Sequence, residues 1–351
     1  MEFKPDFNSA AEQWQRFWDG TNSRPAISAV VPKAGVVPVE NPGWFSIMPG
    51  KDPGPAIGQL LGWAETHDFL CEAIPFYYLE FAADHFASLL GADLTFRESG
   101  QGGWAVPFVD DLDSADIHFD RDGRWWKHTV ELAQALRARC DGKLMIASCS
   151  LVANVDALAA VYGAEKLLLA MVEEPDAVHR ALTQIDQAHG EILDALSELL
   201  DYDRFGSINR HGMYCRGRIN VTQCDFSCMI GPGMFGEFVV PYLRKELQRL
   251  DGGEYHLDGP DAIRHVEALC ALDELDLIQW VPGAGEPSTR DWSSLYARID
   301  ELGKGQLRHG NSDEAISMWR ELRNPKLYVI LKAESRAAVE DCVAELEKPR
   351  A

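Results

Sequence analysis

Short runs rich in β-branched and aromatic residues alternate with longer amphipathic stretches from the first third of the chain to its end. This alternation is typical of repeated strand–helix units around a parallel sheet. No linker, repeat or low-complexity segment interrupts it, so residues 1–351 are predicted to form one domain. The predicted strands are 26–31, 69–74, 143–149, 204–209, 219–225, 254–257, 277–281, 306–309 and 327–331. Their number favours an α/β fold, a closed TIM (β/α)8 barrel with an extra strand and an N-terminal helical and loop extension.

Helices are predicted where apolar residues recur at three- and four-residue intervals. Segment 234–247 has one such stripe, and Pro241 within it predicts a kink or a boundary. A long helix reaching Leu200 is predicted to begin near Pro175, where acidic residues and an early proline suit a helix start. Segment 35–58, rich in glycine and proline, is either a lid or wall for a substrate or an irregular surface excursion pinned by its aromatic residues.

The amino-acid composition of the chain argues against several classes of protein. The chain has 33 Lys and Arg against 55 Asp and Glu, a net charge of -22 that argues against binding nucleic acid or an anionic membrane surface. The eight cysteines are scattered and several lie in apolar runs, which indicates reduced thiols. No basic patch precedes an apolar core at the N-terminus, and no apolar run approaches the roughly 20 residues that span a bilayer. We therefore expect a cytoplasmic protein.

The most informative segment is 252–260, where His256 and Asp258 lie two residues apart on a predicted strand that ends at a Gly-Pro break. Alternate residues of a strand point the same way, so the imidazole and the carboxylate can converge on a metal ion or a substrate. Both groups suit zinc, with a third ligand from a neighbouring strand. Alternatively, His256 is a hydrogen-bonded histidine at the barrel mouth and Asp258 caps the next helix.

Other polar residues follow the predicted strands at the edge where a barrel places its active site. These residues are Arg210, His211, Cys224, Asp225, Gln279, Trp280, His309, Asn311, Lys332 and Glu334, while Tyr77 and Glu80 follow the second strand. Arg210 and His211 either hold a substrate carboxylate or phosphate or form ion pairs. Cys224 is either a thiolate ligand or a small buried hydrophobe, and Asp225 is a general base or substrate anchor. Trp280 is either an apolar substrate wall or ordinary packing.

No Gly-rich phosphate loop, nucleotide fingerprint or serine nucleophile elbow is present, which argues against a kinase, a dehydrogenase and an α/β-hydrolase. Instead the chain resembles the uroporphyrinogen decarboxylase superfamily, which includes cobalamin-linked methyltransferases. The resemblance covers most of the chain and rests on segments 150–158, 173–178, 231–243 and 255–259. It implies a TIM barrel with its site at the carboxyl ends of the strands.

Function divides within this superfamily. The Arg-Gln-Ala-Gly-Arg motif of true decarboxylases is absent, which disfavours porphyrinogen as a substrate. The thiol-methylating branch is similar at His256, but it holds zinc with His-x-Cys and a later Cys, whereas Asp258 stands at the first cysteine position here and the last strand region has no cysteine. Such an oxygen-richer site can bind zinc and polarise an ether or another oxygen.

The resemblance therefore implies a zinc-assisted methyltransferase that passes a methyl group from a small methylated donor, such as an O-methyl compound, to a corrinoid on a partner protein. We expect His256 and Asp258 to hold zinc together with Glu80 or Cys224. The catalytic residues that orient the substrate are expected to be Asp225, Arg210 and His211. The expected substrate-binding residues are Tyr77, Asn154, Gln279, Trp280 and His309. Two alternatives remain: a metal-free decarboxylase that uses Arg210 and Asp225, and a non-catalytic protein that binds a corrinoid or tetrapyrrole.

Overall fold

The computed structural model describes residues 1–97, 102–283 and 290–349. The strands in this part of the chain are β1 (Ala26–Pro32), β2 (His67–Cys71), β3 (Phe76–Tyr78), β4 (Asp93–Phe96), β5 (Gly103–Val106), β6 (Met145–Ala147), β7 (Ser207–Ile208), β8 (Tyr214–Cys215), β9 (Ile219–Gln223), β10 (Gly252–Asp258), β11 (Leu277–Val281), β12 (Gly305–Gly310) and β13 (Leu327–Leu331). The helices are α1 (Phe7–Trp18), α2 (Gly54–Thr66), α3 (His85–Leu89), α4 (Arg124–Cys140), α5 (Asn154–Tyr162), α6 (Ala164–Glu173), α7 (Pro175–Leu199), α8 (Tyr202–Phe205), α9 (Pro232–Met234), α10 (Val240–Gln248), α11 (Val266–Cys270), α12 (Ser293–Glu301), α13 (Ser312–Glu321) and α14 (Arg336–Leu346).

The central sheet has seven strands in the order β2-β1-β13-β12-β11-β10-β9. Neighbours from β1 through to β9 run parallel, whereas β2 is antiparallel to β1. The register places His256 of β10 beside Gln223 of β9 and Gln279 of β11. Because these strands share one direction, the polar residues at their carboxyl ends meet at one edge of the sheet.

The predicted mixed α/β fold is confirmed. The hydrogen-bonded strand pairs of the described residues, however, do not form the continuous ring of a closed barrel. Strands β3 and β6 form a separate parallel pair, and in the described residues no ladder joins β3 to β1 or β6 to β9. A side chain bridges the second of these gaps. Asn220 of β9 donates to Ser148 Oγ at 3.1 Å and to Cys149 O at 3.0 Å, just beyond β6.

The prediction of a parallel strand over residues 69–74 is wrong in two respects, the direction of the strand and the residue at which it ends. The observed strand β2 ends at Cys71 and is the antiparallel edge of the sheet, and the parallel strand β3 begins only after Pro75. Cys71 has a φ of 56°, in the left-handed region that L residues seldom adopt, and the chain turns there. A hydrophobic pattern reports burial and carries no information about this turn.

The predicted strand 204–209 is confirmed only at Ser207–Ile208, and its expected place in the parallel sheet is wrong. Its first residues belong to helix α8, and β7 pairs with β8 in an antiparallel hairpin. The turn is held by Asn209 Oδ1, which accepts hydrogen bonds from the backbone N–H groups of His211 at 3.0 Å and Met213 at 3.1 Å. The hairpin places Arg210 and His211 at a turn rather than at the end of a parallel strand.

Helix α1 closes the end of the sheet opposite to the polar residues. The indole N–H of Trp14 donates to Glu72 O at 3.0 Å, and that of Trp18 donates to Tyr214 O at 2.8 Å. The aromatic side chains of α1 share a buried cluster with residues at or near the starts of five strands: Ala26, Met145, Ile219, Leu277 and Tyr328. The carboxyl ends of the strands remain for a functional site.

The outer helices agree with two predictions. The long helix α7 begins at Pro175, as predicted. A π-helical turn, Phe235–Val239, precedes α10, so the expected boundary near Pro241 is confirmed. Proline lacks an N–H and its ring crowds the preceding turn, which changes the helical hydrogen bonding there. Within the described ranges, no helix combines the length and the apolar character needed to cross a membrane.

Candidate active site

Three potential metal ligands converge at the carboxyl edge of the sheet. His256 and Asp258 are alternate residues of β10, so their side chains leave the same face of the strand. Asp225 opens the 3-10 turn after β9, where the backbone N–H groups of Asp225 and Phe226 both donate to the Asp156 carboxylate at 2.8 Å. Ligand atoms of Asp225, His256 and Asp258 all lie within 4.8 Å of one another, and the described residues contain no second group of this kind.

His256 presents a neutral imidazole in a defined orientation. The Nε2 group of Gln279 donates to Trp280 O at 3.3 Å, so Gln279 Oε1 is the acceptor for Nδ1–H of His256. The unprotonated ring nitrogen is then Nε2. Burial, followed by the positive charge of Arg210, lowers the pKa of His256 to about 3. A neutral imidazole whose Nδ1 is anchored in this way is the form that binds a divalent metal.

Both carboxylates of the triad have a raised pKa, and the positive charge of the nearby Arg210 opposes this shift only in part. Burial of its carboxyl group, and then the neighbouring carboxylates of Asp156 and Asp258, raise the pKa of Asp225. Other atoms of Asp225 are exposed to solvent. Burial also raises the pKa of Asp258. The Oδ1 atom of Asp258 is buried, with no hydrogen-bond partner in the described part of the chain. A cation bound here would satisfy this oxygen and offset the repulsion between the carboxylates.

The donor set fits a metal. One imidazole nitrogen and two carboxylate oxygens are ligands that zinc accepts, and three protein ligands leave a coordination position for a substrate or water. Because two of the three donors are oxygen, the site is harder than a thiolate site. The structure thus brings Asp225, rather than Glu80 or Cys224, together with His256 and Asp258.

Glu80 and Cys224 lie apart from the triad. Glu80 accepts a hydrogen bond from the backbone N–H of Ser150 at 3.2 Å, and burial raises its pKa to about 7 against the opposing effects of the Tyr78 hydroxyl and Arg210. Cys224 is buried, and burial raises the pKa of its thiol well above the usual range. At neutral pH Cys224 is therefore a protonated thiol within the core.

Arg210 lies beside the triad in a network of neutral hydrogen-bond acceptors. Its guanidinium donates to Ser150 Oγ at 3.0 Å and to Gln223 Oε1 at 2.7 Å. Gln223 in turn donates to Asp225 Oδ2 at 3.1 Å, so a single amide connects Arg210 to the triad. Among the residues that the structure describes, no carboxylate oxygen lies within 4.0 Å of this guanidinium. Its charge is available to an anionic ligand.

His211 is held by a carboxylate that the sequence analysis missed. Its Nδ1 lies 2.6 Å from Oε1 of the fully buried Glu254, whose other oxygen accepts from Asn209 Nδ2 at 2.5 Å. The ring centroids of His211 and His256 are 6.1 Å apart. Glu254 precedes His256 by two residues on β10, so the same strand alternation that paired His256 with Asp258 could have identified it. The position of Asn209 depends on the hairpin turn and had no such signal.

A cavity of about 450 Å³ adjoins the triad. Its lining includes three of the predicted substrate-binding residues, Tyr77, Gln279 and His309, together with Arg210 and His211. None of the three triad residues lines the cavity; it is connected to the triad through Gln279, which contacts His256, and through Arg210, which reaches Asp225 by way of one amide. The volume is in the lower part of the range of roughly 300–1,000 Å³ that is typical of small-molecule sites.

Segment 35–58 forms part of the cavity wall, which is one of the two alternatives left by its sequence. The ring of Trp44 meets that of Tyr78 edge-on, with centroids 5.3 Å apart. The hydroxyls of Ser46 and Tyr77 lie 3.3 Å apart. These contacts hold the segment against the residues of β3 that also line the cavity.

Asn154 and Trp280 lie outside the cavity lining. Asn154 uses both N–H groups of its amide within the protein, donating to Gln223 O at 3.0 Å and Glu246 Oε1 at 2.9 Å. Trp280 packs edge-on against Trp292, with centroids 4.9 Å apart, in the hydrophobic layer between the sheet and the helices. Strand alternation explains this, because Gln279 points toward the site and its neighbour points away.

A second cavity, of about 560 Å³, lies between β2, α14 and the N-terminal residues. Its cations are already paired. Arg336 lies 3.1 Å from Asp68, and the ammonium of the buried Lys4 donates to Phe69 O at 2.9 Å and Cys71 O at 2.7 Å. Although it is the larger cavity, it lacks the convergent ligands of the triad, and we place the functional site at the smaller one.

No family model and no curated protein matches the sequence. Among solved structures, the chain is similar to a methyltransferase from Methanosarcina mazei, with a TM-score of 0.59 and 12% sequence identity over 96% of this chain and 98% of that chain. At this level of identity the likeness establishes a shared fold over nearly the whole length of both chains.

Proposed function

We propose that this protein is a methyltransferase that takes a methyl group from a small methylated substrate and delivers it to a corrinoid on a partner protein. The observation that carries the proposal is the convergence of Asp225, His256 and Asp258 beside a cavity of small-molecule size. The similarity in fold to a methyltransferase supports this reaction class. So does the sequence's resemblance to the cobalamin-linked branch of the uroporphyrinogen decarboxylase superfamily.

We further infer that β3 and β6 complete a barrel of eight parallel strands, formed by β1, β3, β6 and β9 to β13. The Asn220 hydrogen bonds across the gap between β6 and β9 support this closure. In such a barrel the catalytic groups lie at the carboxyl ends of the strands, where the triad and the cavity lie.

The residues that would hold zinc are Asp225, His256 and Asp258. Bound there, zinc supplies a Lewis acid that polarises the heteroatom carrying the methyl group. Gln279 fixes the tautomer and the orientation of His256. Two carboxylate ligands favour an oxygen substrate over a thiol, because a harder site activates a thiolate less well.

The remaining side chains position the substrate. Arg210 binds an anionic group, and the ring of His211 is oriented by Glu254 and lies with its centroid 6.1 Å from that of His256. Tyr77 and Trp44 supply aromatic surface to the cavity wall. These roles need no movement of the sheet, since all the groups are already placed by strand ends and by the loop above them.

Metal analysis tests the proposal. We expect the parent protein to bind one zinc per chain and the His256→Ala variant to lose it, together with methyl transfer to reduced cobalamin. The control is His118→Ala, since the side chain of His118 is 65% exposed and it should leave both properties unchanged. Absence of zinc from the parent, or equal zinc in the parent and His256→Ala, would count against the proposal.

Arg210 has no ion-pair partner among the described residues, which also favours a second candidate, a metal-free decarboxylase of a small carboxylated substrate. Arg210 would bind the carboxylate, and Asp225, whose pKa is raised, would donate a proton to the product carbon. Release of carbon dioxide that survives exhaustive chelation would support this candidate over methyl transfer.

A further inference from the structure

We propose that Asn154 is a positioning residue, which fixes the carboxyl end of β9 so that Asp225 reaches the metal position beside His256 and Asp258. This inference rests on the metal site of the proposed function and adds to it the residue that assembles the third ligand. Asn154 does not line the cavity, and both N–H groups of its amide donate within the protein. It therefore acts through the backbone that it holds.

Asp225 is the member of the triad that the sheet does not hold. His256 and Asp258 belong to β10 and are paired with neighbouring strands, whereas Asp225 lies beyond the last residue of β9, in the 3-10 turn. Gln223, the last residue of β9, donates to Asp225 Oδ2 at 3.1 Å and accepts from Arg210 at 2.7 Å. A shift of the backbone at 223–225 would displace a metal ligand and the partner of Arg210 together.

The first turn of α5 holds this stretch of backbone. The amide nitrogen of Asn154 donates to Gln223 O at 3.0 Å. The carboxylate of Asp156, two residues later, accepts from the N–H groups of Asp225 and Phe226, both at 2.8 Å. The backbone N–H of Asp156 in turn donates to Oδ1 of Asn154 at 3.4 Å. Asn154 thus contacts the end of β9 directly and also contacts the residue that holds the turn.

The backbone of Asn154 is in an unfavourable conformation. It has a φ of 52°, in the left-handed region, although it is the first residue of α5 and only 2% exposed. Asparagine tolerates this region better than most residues, but glycine adopts it without strain. Strain of this kind persists where the surrounding structure holds it, and it clusters at functional sites. Because glycine lacks the amide, the side chain explains why asparagine occupies this position.

Helix α10 supplies a buried acceptor for the same amide. Asn154 donates its second N–H to Glu246 Oε1 at 2.9 Å, and Glu246 is 2% exposed. The other oxygen of Glu246 is buried and has no hydrogen-bond partner in the described ranges of the chain. A buried oxygen without a partner is costly in a layer where an apolar side chain would pack. The carboxyl group fixes the rotation of the Asn154 amide, so that its other N–H points to Gln223 O.

A double-mutant cycle tests this inference. Zinc affinity is measured by competition with a chelator for the parent, Asn154→Gly, Asp225→Ala and the double variant. We expect Asn154→Gly to weaken zinc binding about 10-fold, the lower end of the range for residues that orient metal ligands. In the Asp225→Ala background the same change should weaken it by less than about 2–3-fold, because the ligand that Asn154 positions is already gone. A merely structural role predicts equal losses in both backgrounds.

The visible absorption spectrum of the protein loaded with cobalt(II) is a second readout. We expect the spectrum of folded Asn154→Gly to differ from that of the parent and to match that of Asp225→Ala, since both variants lose the same oxygen ligand. Asp201→Gly is the control, because Asp201 also has a left-handed φ, of 59°, but precedes α8. This control should keep the zinc affinity and the cobalt spectrum of the parent.

Glu246→Leu is a second variant that does not alter the strained backbone. It replaces the buried carboxyl group with an apolar side chain and removes the acceptor that orients the Asn154 amide. It should weaken zinc binding at least about 3-fold when Asp225 is present and have little effect in the Asp225→Ala background.

The outcomes separate this inference from the proposed function. Equal losses of zinc affinity in the two backgrounds, or a cobalt spectrum of Asn154→Gly that equals the parent's, would overturn the positioning role. A parent that binds neither zinc nor cobalt would overturn both proposals. Non-additive losses in a protein that transfers no methyl group to reduced cobalamin would support the positioning role and contradict the methyltransferase. Methyl transfer together with unchanged zinc affinity in Asn154→Gly would contradict the positioning role alone.

Discussion

The side-chain oxygen of Gln279 accepts a hydrogen bond from Nδ1 of His256, and this contact determines which imidazole nitrogen is available to a metal. The amide is itself fixed, because its nitrogen donates to Trp280 O. Since β10 and β11 are in register at these two residues, the contact follows directly from strand pairing.

The first prediction concerns this contact. Gln279→Ala should weaken zinc binding by about 10–100-fold while the protein stays folded, because partners of metal-binding histidines contribute about that much to affinity. A competition titration with a zinc chelator measures the change. Gln248→Ala, at an exposed position on α10, is the control and should bind zinc as the parent does. An unchanged affinity in Gln279→Ala would mean that His256 needs no such support or is not a ligand.

A second prediction concerns the buried carboxyl of Glu246. Burial raises its pKa from 4.5 to about 8, and Asn154 donates to one of its oxygens at 2.9 Å. The native state therefore holds a proton that the unfolded chain releases, and this contribution to stability is complete below pH 4.5 and is lost as the pH rises toward 8.

Glu246→Gln removes this proton. Only the parent loses stability from this group as the pH rises. The unfolding free energy of the variant minus that of the parent should therefore increase by a few kcal/mol from pH 5 to pH 8. Urea unfolding at the two pH values measures the difference, with the exposed Glu237→Gln as the control. A difference between Glu246→Gln and the parent that stays constant with pH would contradict the prediction.

The buried His85 should affect the pH dependence of stability in the opposite direction. Its Nδ1 accepts a hydrogen bond from Phe81 N at 3.2 Å, its Nε2 lies 2.9 Å from Thr129 Oγ1, and burial lowers its pKa from 6.5 to about 3. The unfolded chain binds a proton that the native state does not, so the contribution of His85 is complete above pH 6.5 and is lost as the pH falls toward 3. His85→Gln should show a shallower loss of unfolding free energy between pH 6.5 and pH 4 than the parent. The exposed His118→Gln should keep the parent's slope, and an equally shallow slope there would show that the effect is not specific.

The ion pair behind strand β2 supports a prediction about stability. Arg24 donates to both oxygens of Glu72 at 2.8 Å, and Glu72 is buried and also accepts from Ile27 N at 2.7 Å. Glu72→Ala should cost about 3–5 kcal/mol, because it leaves a mostly buried guanidinium with only the more distant carboxylate of Glu347, at 3.8 Å. Glu267→Ala removes an exposed partner of Arg298 and should cost less than about 1 kcal/mol. Denaturant unfolding compares the two, and similar losses would contradict this account of the β2 edge.

The sequence predicted the parts of the fold that depend on periodicity. Alternation on β10 placed His256 and Asp258 on one face, and Pro175 marked the start of α7. It did not predict the antiparallel direction of β2 or the β7–β8 hairpin. Those features depend on the left-handed residue Cys71 and on the hydrogen bonds of Asn209, neither of which leaves a hydrophobic pattern.

The third member of the triad, Asp225, is another feature that the hydrophobic pattern of the sequence does not predict. Asp225 joins His256 and Asp258 because a 3-10 turn follows β9 and its N–H groups are held by Asp156, a residue 69 positions earlier in the chain. Strand position alone made Glu80 and Cys224 equally reasonable. Residues from distant segments meet through tertiary packing, and a single sequence does not report which of several strand-end residues turns inward.

The central claim is that Asp225, His256 and Asp258 together hold a divalent metal beside the cavity. Anomalous diffraction from zinc-soaked crystals of the intact protein, recorded above and below the zinc absorption edge, tests it most directly. The account predicts one strong zinc peak within bonding distance of His256 Nε2 and an oxygen of each aspartate. A peak elsewhere, or none at the triad while zinc occupies other sites, would contradict it.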